Sequence, residues 1–487
     1  MEPKGLDYYK QAGQRALKWH AENINKMKQC RFDTIAVHGI YSMQEALDFN
    51  QGSIIEPIYM STSQAYRDSD EMEAALSYQI PTWCYSRIGN PSMYYLEGAL
   101  ALIEAYGAGV DASCIATASG MAAIQSAVDQ FLIEDPKRPN SPMNFVATAQ
   151  VYGGTFQQFA IRKEQERNIE WRRIINSTDM DEWESNIDEN TRFLYGEMPS
   201  NPAQAFFDVK KIVDLAHKYG IPAIFDSTVA TPALLRPLEY GADIVVQSVS
   251  KSLFTSGFGI AGAVIARKNI TTNIDNPEMK ADFCAYLKQL PNRDNGPNIS
   301  PMNAIMALND IRTIRHRMDI ASRSTMQVAR YLKDHKHIEG VDYLGLEEHK
   351  LHELAKDYLF LVDAEHDEQY GSAQNRYGHL MSFRVKGGVE QTRKVFDAFQ
   401  RIWRATDLGR IKSVATIPSI STHAQQGEEG RKLAQIPPNL IRLCVGMEHP
   451  DDIIADIDQA LSTLDGKKVT MTFPEYSAAG ASSARIG

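Results

Sequence analysis

Residues 243–251 read DIVVQSVSK. Ile244, Val245 and Val246 make an apolar run of strand type, which delivers two hydroxyls, Ser248 and Ser250, and then the amine of Lys251. About twenty-five residues upstream a second apolar run, 223–225, ends on Asp226. A lysine amine forms a Schiff base with an aldehyde, a carboxylate holds a pyridine nitrogen protonated, and hydroxyls take a phosphate. Strand, acid, strand, hydroxyl-x-hydroxyl-lysine therefore supplies what pyridoxal 5'-phosphate requires of a protein. A lone lysine after a serine reads as a solvated surface residue. The ordered combination carries the chemistry.

Other residues extend this constellation. Ser119-Gly120-Met121 precedes an apolar pattern of helical spacing over 120–132. A small loop feeding a helix start presents free N–H groups and the positive end of the helix dipole, an anion site suited to the cofactor phosphate. Tyr152, in VYGGT after a strand-like run, is placed to stack on the pyridine ring. Asn201, in the proline-punctuated EMPSNP, offers an amide to the ring's phenolic oxygen, although asparagine is also a common turn residue. Asp226 ends its strand as a carboxylate that needs a partner, and a pyridinium N–H supplies one. Arg442 stands inside the apolar run LIRLCVG, where a guanidinium is costly without an anion. A substrate carboxylate gripped by the planar fork answers that cost, as would a structural ion pair.

These residues must be positioned by alternating strands and helices. Residues 144–148 and 193–197 read as buried strands, Asp208 caps a helix that Gly220 ends, and AIFD, IVVQS and AGAVIA follow as strands. The alternation predicts a mostly parallel sheet, covered on both faces, with ligands at the carboxyl ends of the strands. Residues 311–332 predict one long helix leading into a smaller α+β domain, with HLMSFRV and LIRLCVG as strands and DDIIADIDQALSTL as a closing helix. The expected organisation is an N-terminal arm over 1–95, a cofactor-binding α/β domain over 96–310 and a C-terminal α+β domain over 311–487. The last stretch, SAAGASSARIG, predicts a mobile tail.

Composition bounds the partners. At 487 residues and 43% hydrophobic, the chain has material for more than one domain. A net charge of −10 without a basic run disfavours nucleic acid. The five cysteines are scattered and form no CxxC, so neither a disulfide framework nor a metal site is indicated. No secretory or membrane-spanning segment is evident, which leads to the expectation of a reducing cytoplasm and no membrane partner.

The segments SGM, YGGT, EMPSNP, DSTVATP, GADIVVQSVSK, STH and IRLCVGMEHPDDIIADIDQAL occur in an order that resembles the Cys/Met-metabolism enzymes dependent on pyridoxal phosphate. The resemblance runs from about residue 33 to residue 465. It implies a fold-type I subunit, with a sheet of the seven-stranded type, in a homotetramer built from two tight dimers, acting on a small amino acid. It also implies roles. Lys251 carries the cofactor and shuttles protons, Asp226 pairs with the ring nitrogen, Tyr152 stacks on the ring, and Asn201 meets the phenolic oxygen. Gly120, Met121, Ser248 and Ser250 hold the phosphate, and Arg442 binds the substrate α-carboxylate. Tyr85 and Arg87, in YSRIGNPS, resemble a pair that reaches the phosphate of a neighbouring subunit.

The departures from that pattern concern the pocket. Ser227 stands where a second asparagine is usual, Ser252 where an aromatic is common, and Phe254-Thr255-Ser256 near a usual glycine-histidine pair. In DLGRIKS, Asp407 replaces a serine near the substrate carboxylate, and Lys412 replaces a variable residue that is often glutamate. Both are expected to line the second-substrate pocket, where a lysine would disfavour nucleophiles bearing an ammonium; the alternative is that Lys412 pairs with Asp407 or points to solvent. The expected reaction is γ-replacement on an O-acyl-L-homoserine, sulfhydrylase-type. A γ-lyase giving 2-oxobutanoate and ammonia is the alternative, and a cystathionine γ-synthase a second one.

Overall fold

The computed structural model describes residues 4–80, 83–134 and 141–468; the C-terminal SAAGASSARIG lies outside them. Seven strands form the central sheet: β1 (Ala112–Thr117), β2 (Asn144–Thr148), β3 (Glu170–Ile174), β4 (Thr191–Glu197), β5 (Ala223–Asp226), β6 (Ile244–Gln247) and β7 (Gly262–Arg267). Their spatial order is β1-β7-β6-β5-β4-β2-β3. Only β7 runs against its neighbours, so the sheet is mostly parallel, as the alternating pattern predicts.

Strand periodicity sends successive side chains to opposite faces. Val245 and Phe225 enter one buried layer with Leu96, Val213 and Leu308. Ile244, Val246 and Ile224 enter the other, with Ile124, Phe131 and Phe283. Helices cover both faces, as a parallel sheet demands. Local signals set their ends. The side chain of Asp208 accepts from the Lys211 N–H at 3.0 Å to open helix Val209–Lys218, and Gly220 closes it at φ +67.

The second sheet, order β10-β11-β12-β9-β8, holds β8 (Ile338–Asp342), β9 (Leu380–Val385), β10 (Trp403–Arg404), β11 (Val414–Thr416) and β12 (Leu440–Cys444). Helix Pro450–Leu461 closes this smaller domain. The long helix expected over 311–332 is present as Ile314–Lys333, and a separate helix, Pro301–Ile311, precedes it. They part at Arg312, whose guanidinium turns away to pair with the buried Glu56.

The N-terminal segment is more helical than its loop-like text suggests, with helices Leu6–Met27, Phe32–His38, Met43–Phe49 and Ser69–Leu76. Residue 95 falls inside helix Pro91–Glu104, and Phe32, Ile35 and Ala36 belong to the main core with Met93 and Leu96. Beyond them, Met43, Leu47, Phe49, Ile54 and Met60 face solvent in this chain, Ile54 at 90% exposure. Among the described residues no helix is long and apolar enough to cross a membrane.

Candidate active site

Three neighbouring parallel strands, β4, β5 and β6, end together, and their register sets Glu197 beside Asp226 and Asp226 beside Val246. Both carboxylates are buried. The Asp226 Oδ1 accepts from the Thr228 N–H at 3.0 Å and from the Thr228 hydroxyl. Burial raises the Asp226 carboxyl above the usual range and outweighs the opposing bonds from Thr228. Burial also raises Glu197, and the Asp226 charge adds to that rise. Glu197 is spent on backbone: its Oε2 accepts from the Tyr152 N–H at 2.6 Å and its Oε1 from the Asn201 N–H at 2.8 Å. It thereby fixes the two loops that present Tyr152 and Asn201. Two buried carboxylates side by side call for a cationic donor, and a protonated pyridine nitrogen at Asp226 is one.

Lys251 follows β6 by four residues and its Nζ lies 2.9 Å from the Asp407 Oδ1. Asp407 also pairs with the Arg410 guanidinium. The Asp407 carbonyl accepts from the Arg442 Nη2 at 2.7 Å. The Arg442 Nη1 donates to the Asn201 Oδ1 at 3.1 Å, which turns the Asn201 amide hydrogens elsewhere. Arg442 is 1% exposed, and among the described residues its Nε meets no acceptor and no carboxylate lies within ion-pair distance of it. Burial lowers its pKa to about 10. A buried guanidinium with no carboxylate in ion-pair distance has the planar donor fork that suits a carboxylate ligand.

The turn expected to take the phosphate lies where helix Gly120–Asp129 begins. The Ser119 hydroxyl caps it, accepting from the Ala122 N–H at 3.1 Å. The N–H groups of the first turn have no acceptor within the helix. A Cβ at Gly120 would stand 2.6 Å from the Ser248 Cβ, so this turn lies directly against the loop that carries the lysine. Ser248 donates its N–H to the Thr228 hydroxyl at 2.8 Å. Ser250 is tied more closely than its sequence position suggests. Its hydroxyl donates to the Ala261 carbonyl and accepts from the Ala261 N–H, both at 2.8 Å, so it chiefly pins the lysine loop to the start of β7.

Tyr152 is exposed, its ring edge-on to His423 with centroids 6.4 Å apart. Tyr85 and Arg87 face outward. The Arg87 guanidinium lies 5.5 Å from the Tyr85 ring and donates to the Arg293 carbonyl. Among the described residues neither shares a hydrogen bond or ion pair with the Lys251 cluster of its own chain. Lys412 is exposed and lies over the Trp403 ring, 4.6 Å from its centroid, and the cation set beside Asp407 is Arg410 instead.

Four further residues join the site. Thr228 ties Asp226 to Ser248, Glu197 fixes two loops, Arg410 grips Asp407, and His423 backs Tyr152. Glu197 and Thr228 had a visible signal, since each stands at or just past a strand end, beside a residue already singled out. Arg410 had none, because its role depends on a loop turning back on a residue about 160 positions earlier.

The residues fit pyridoxal phosphate: an acid at the ring nitrogen, a glycine cradle at a helix start, a lysine between them, and a buried arginine for the substrate. Fold and site together define a fold-type I enzyme dependent on pyridoxal phosphate. The chain belongs to the Cys/Met metabolism PLP-dependent enzymes, whose family model matches residues 33–462. It is 31% identical to the homocysteine synthase of Schizosaccharomyces pombe, over 88% of this chain and 98% of that one. It is 30% identical to the L-methionine gamma-lyase of Porphyromonas gingivalis, over 89% of this chain and 97% of that one. A solved structure described as an O-acetylhomoserine (thiol)-lyase of Campylobacter jejuni superposes with a TM-score of 0.77 at 32% identity. That likeness covers 89% of this chain and 100% of the other, which carries a pyridoxyl-lysine phosphate.

Proposed function

We propose that this enzyme catalyses γ-replacement on an O-acyl-L-homoserine, with sulfide or a small thiol as the incoming nucleophile. The observation that carries the reading is the buried Arg442, held by Asn201 and the Asp407 carbonyl within the cluster that positions Lys251. It fixes an α-amino acid by its carboxylate with the α-carbon near the lysine amine. The similarity to a homocysteine synthase and to sulfhydrylases supports the choice of donor and nucleophile.

The cofactor, when bound, supplies the electron sink for carbanion chemistry. The chain's residues do the rest. Lys251 would hold the cofactor, and its free Nζ would remove the α-proton of a bound substrate and return a proton later in the sequence. Asp226 keeps the ring nitrogen protonated, Tyr152 covers the ring, and Arg442 with Asn201 orients the substrate. The first turn of helix Gly120–Asp129, with Ser248, holds the phosphate. Removal of a second proton, from Cβ, lets the acyloxy group leave from Cγ as a carboxylate; the nucleophile, as its thiolate or hydrosulfide anion, then bonds to Cγ and the Cβ and Cα protons are returned.

The elimination reading, release of 2-oxobutanoate and ammonia, uses the same centre and is supported by the methionine γ-lyase relative. Product analysis separates them. Purified protein is offered O-acetyl-, O-succinyl- and O-phospho-L-homoserine, and methionine, with and without sulfide. Homocysteine formed only with sulfide supports replacement; 2-oxobutanoate formed without any nucleophile moves the assignment to a γ-lyase.

We further propose a homotetramer built from dimers, in which Tyr85 and Arg87 reach the partner's phosphate. Their outward position and the exposed apolar side chains of Met43, Leu47, Phe49, Ile54 and Met60 support it. The five free cysteines suit a reducing cytoplasm.

A further inference from the structure

We propose that Asp407 is the counter-ion of Lys251: it holds the proton on Nζ inside the site, and Arg410 sets how strongly it does so. The inference rests on Lys251 being the cofactor-bearing residue, as proposed above, and concerns how that lysine is kept in place and in charge. It gives Asp407 a task directed at the lysine amine rather than at the second substrate.

The geometry is tightly built. The Asp407 Oδ1 lies 2.9 Å from the Lys251 Nζ and accepts from the Leu408 N–H, also at 2.9 Å. The Oδ2 takes the Arg410 Nε, and the Arg410 Nη1 donates to the Phe254 carbonyl at 2.8 Å, three residues past the lysine. The Asp407 carbonyl accepts from Arg442. Gly409 sits at φ +73, and a Cβ there would stand 2.5 Å from the Ser252 nitrogen and 2.8 Å from the Lys251 carbonyl carbon. The turn over 407–410 thus lies directly on the lysine segment, which only a glycine at 409 permits. The turn that carries Asp407 is thereby seated on the lysine segment.

The charged and titratable groups facing Asp407 come from three elements. Arg410 is on its own turn, Arg442 and the Cys444 thiol are on β12, and Lys251 is on the loop after β6. Tyr152 enters through Arg442. Burial raises the Asp407 carboxyl, but Lys251 and Arg410 outweigh it and hold it below the usual carboxylate range, so it is an anion at neutral pH. The side chains of Lys251 and Asp407 are 27% and 32% exposed, so water screens part of their attraction.

Asp407 accepts a hydrogen bond and takes no proton. When Nζ removes the substrate's α-proton, a C–H bond breaks, an N–H bond forms, and the new ammonium is met by a carboxylate already aimed at it. The same contact keeps the displaced amine from swinging out before it returns the proton. Arg410 competes for that carboxylate and weakens its hold on Nζ. Asp407 is a positioning residue with an electrostatic task.

The experiment is a pH titration of the visible absorption of full-length protein loaded with pyridoxal phosphate, without substrate, which reads the proton on the lysine nitrogen. Asp407→Asn should move the midpoint down by about one pH unit, a tenfold weaker hold on the proton. Asp407→Glu should recover about half of that shift or more. Arg410→Gln should move the midpoint up. Mere damage to the loop shifts both variants the same way, so opposite signs support the assignment and equal signs overturn it. Asp407→Ser serves where the asparagine variant does not fold and carries the same expectation. A midpoint in the asparagine or serine variant within about 0.2 pH unit of wild type overturns the counter-ion role. Wild-type protein that develops no lysine-dependent visible band overturns the cofactor reading itself, a result distinct from an unshifted midpoint.

Discussion

Arg442→Gln tests the substrate site most directly. The guanidinium is 1% exposed, donates at 3.1 Å to Asn201 and at 2.7 Å to the Asp407 carbonyl, and keeps Nε without an acceptor among the described residues. No carboxylate among the described residues lies within ion-pair distance of it, and in the proposed function that place belongs to the substrate's carboxylate. Removing one member of a buried, hydrogen-bonded charge pair costs about 2–5 kcal/mol. At about 1.4 kcal/mol per decade, kcat/KM for an acyl-homoserine should fall roughly 30- to 4,000-fold. The α-carboxylate is bound before and during the reaction, so most of the loss belongs in KM. Glutamine spans less and carries no charge, but it retains an amide for Asn201, so the fold and the cofactor absorption should persist. The assay is steady-state kinetics on the acyl-homoserine with sulfide, run beside a cofactor titration of both proteins. A variant that binds the cofactor normally and keeps kcat/KM within about threefold of wild type would refute Arg442 as the carboxylate receptor.

Four further outcomes follow from the structure. Lys251→Ala should lose about three or more orders of magnitude in γ-chemistry, and borohydride reduction of wild type should fix the cofactor label on the Lys251 peptide alone. Inactive Arg87→Ala and Lys251→Ala chains, refolded together, should regain part of the activity, whereas mixed oligomers that stay inactive would place Arg87 in its own chain's site. Gly120→Ala pushes a methyl to 2.6 Å from the Ser248 Cβ, so cofactor affinity should drop about tenfold or more while urea unfolding of the cofactor-free protein moves less. Burial, with Arg442 adding to it, lowers His423 to about 4, so the native state refuses a proton that the unfolded chain binds near 6.5. Above that pH both states are neutral and nothing is gained or lost. As pH falls from 6.5 towards 4, wild type should lose about 1.4 kcal/mol per unit through this one group. His423→Asn should remove that slope, and matching slopes in the two proteins would show that His423 does not resist protonation.

The sequence by itself determined the cofactor chemistry and the sheet that presents it. Both are local matters: apolar runs with period two, caps such as Asp208, and reactive groups placed at strand ends, where Asp226 and Lys251 are found. The rank of β4, β5 and β6 in one parallel sheet then follows from alternation with helices. What only the tertiary structure decided is how distant loops meet. The resemblance sets Lys412 in the pocket, because it stands where the family has a variable residue, often glutamate; in the structure it lies over Trp403, and Arg410 pairs with Asp407. Ser250 looked like a phosphate ligand, but the start of β7 comes near enough to take its hydroxyl in both directions. The helix expected over 311–332 starts at Ile314, past the turn where Arg312 finds Glu56, a partner about 250 positions away. The carboxylate beside Lys251 comes from a different domain. No periodicity encodes such contacts, since a buried charge takes whichever partner the packed chain brings within hydrogen-bonding distance.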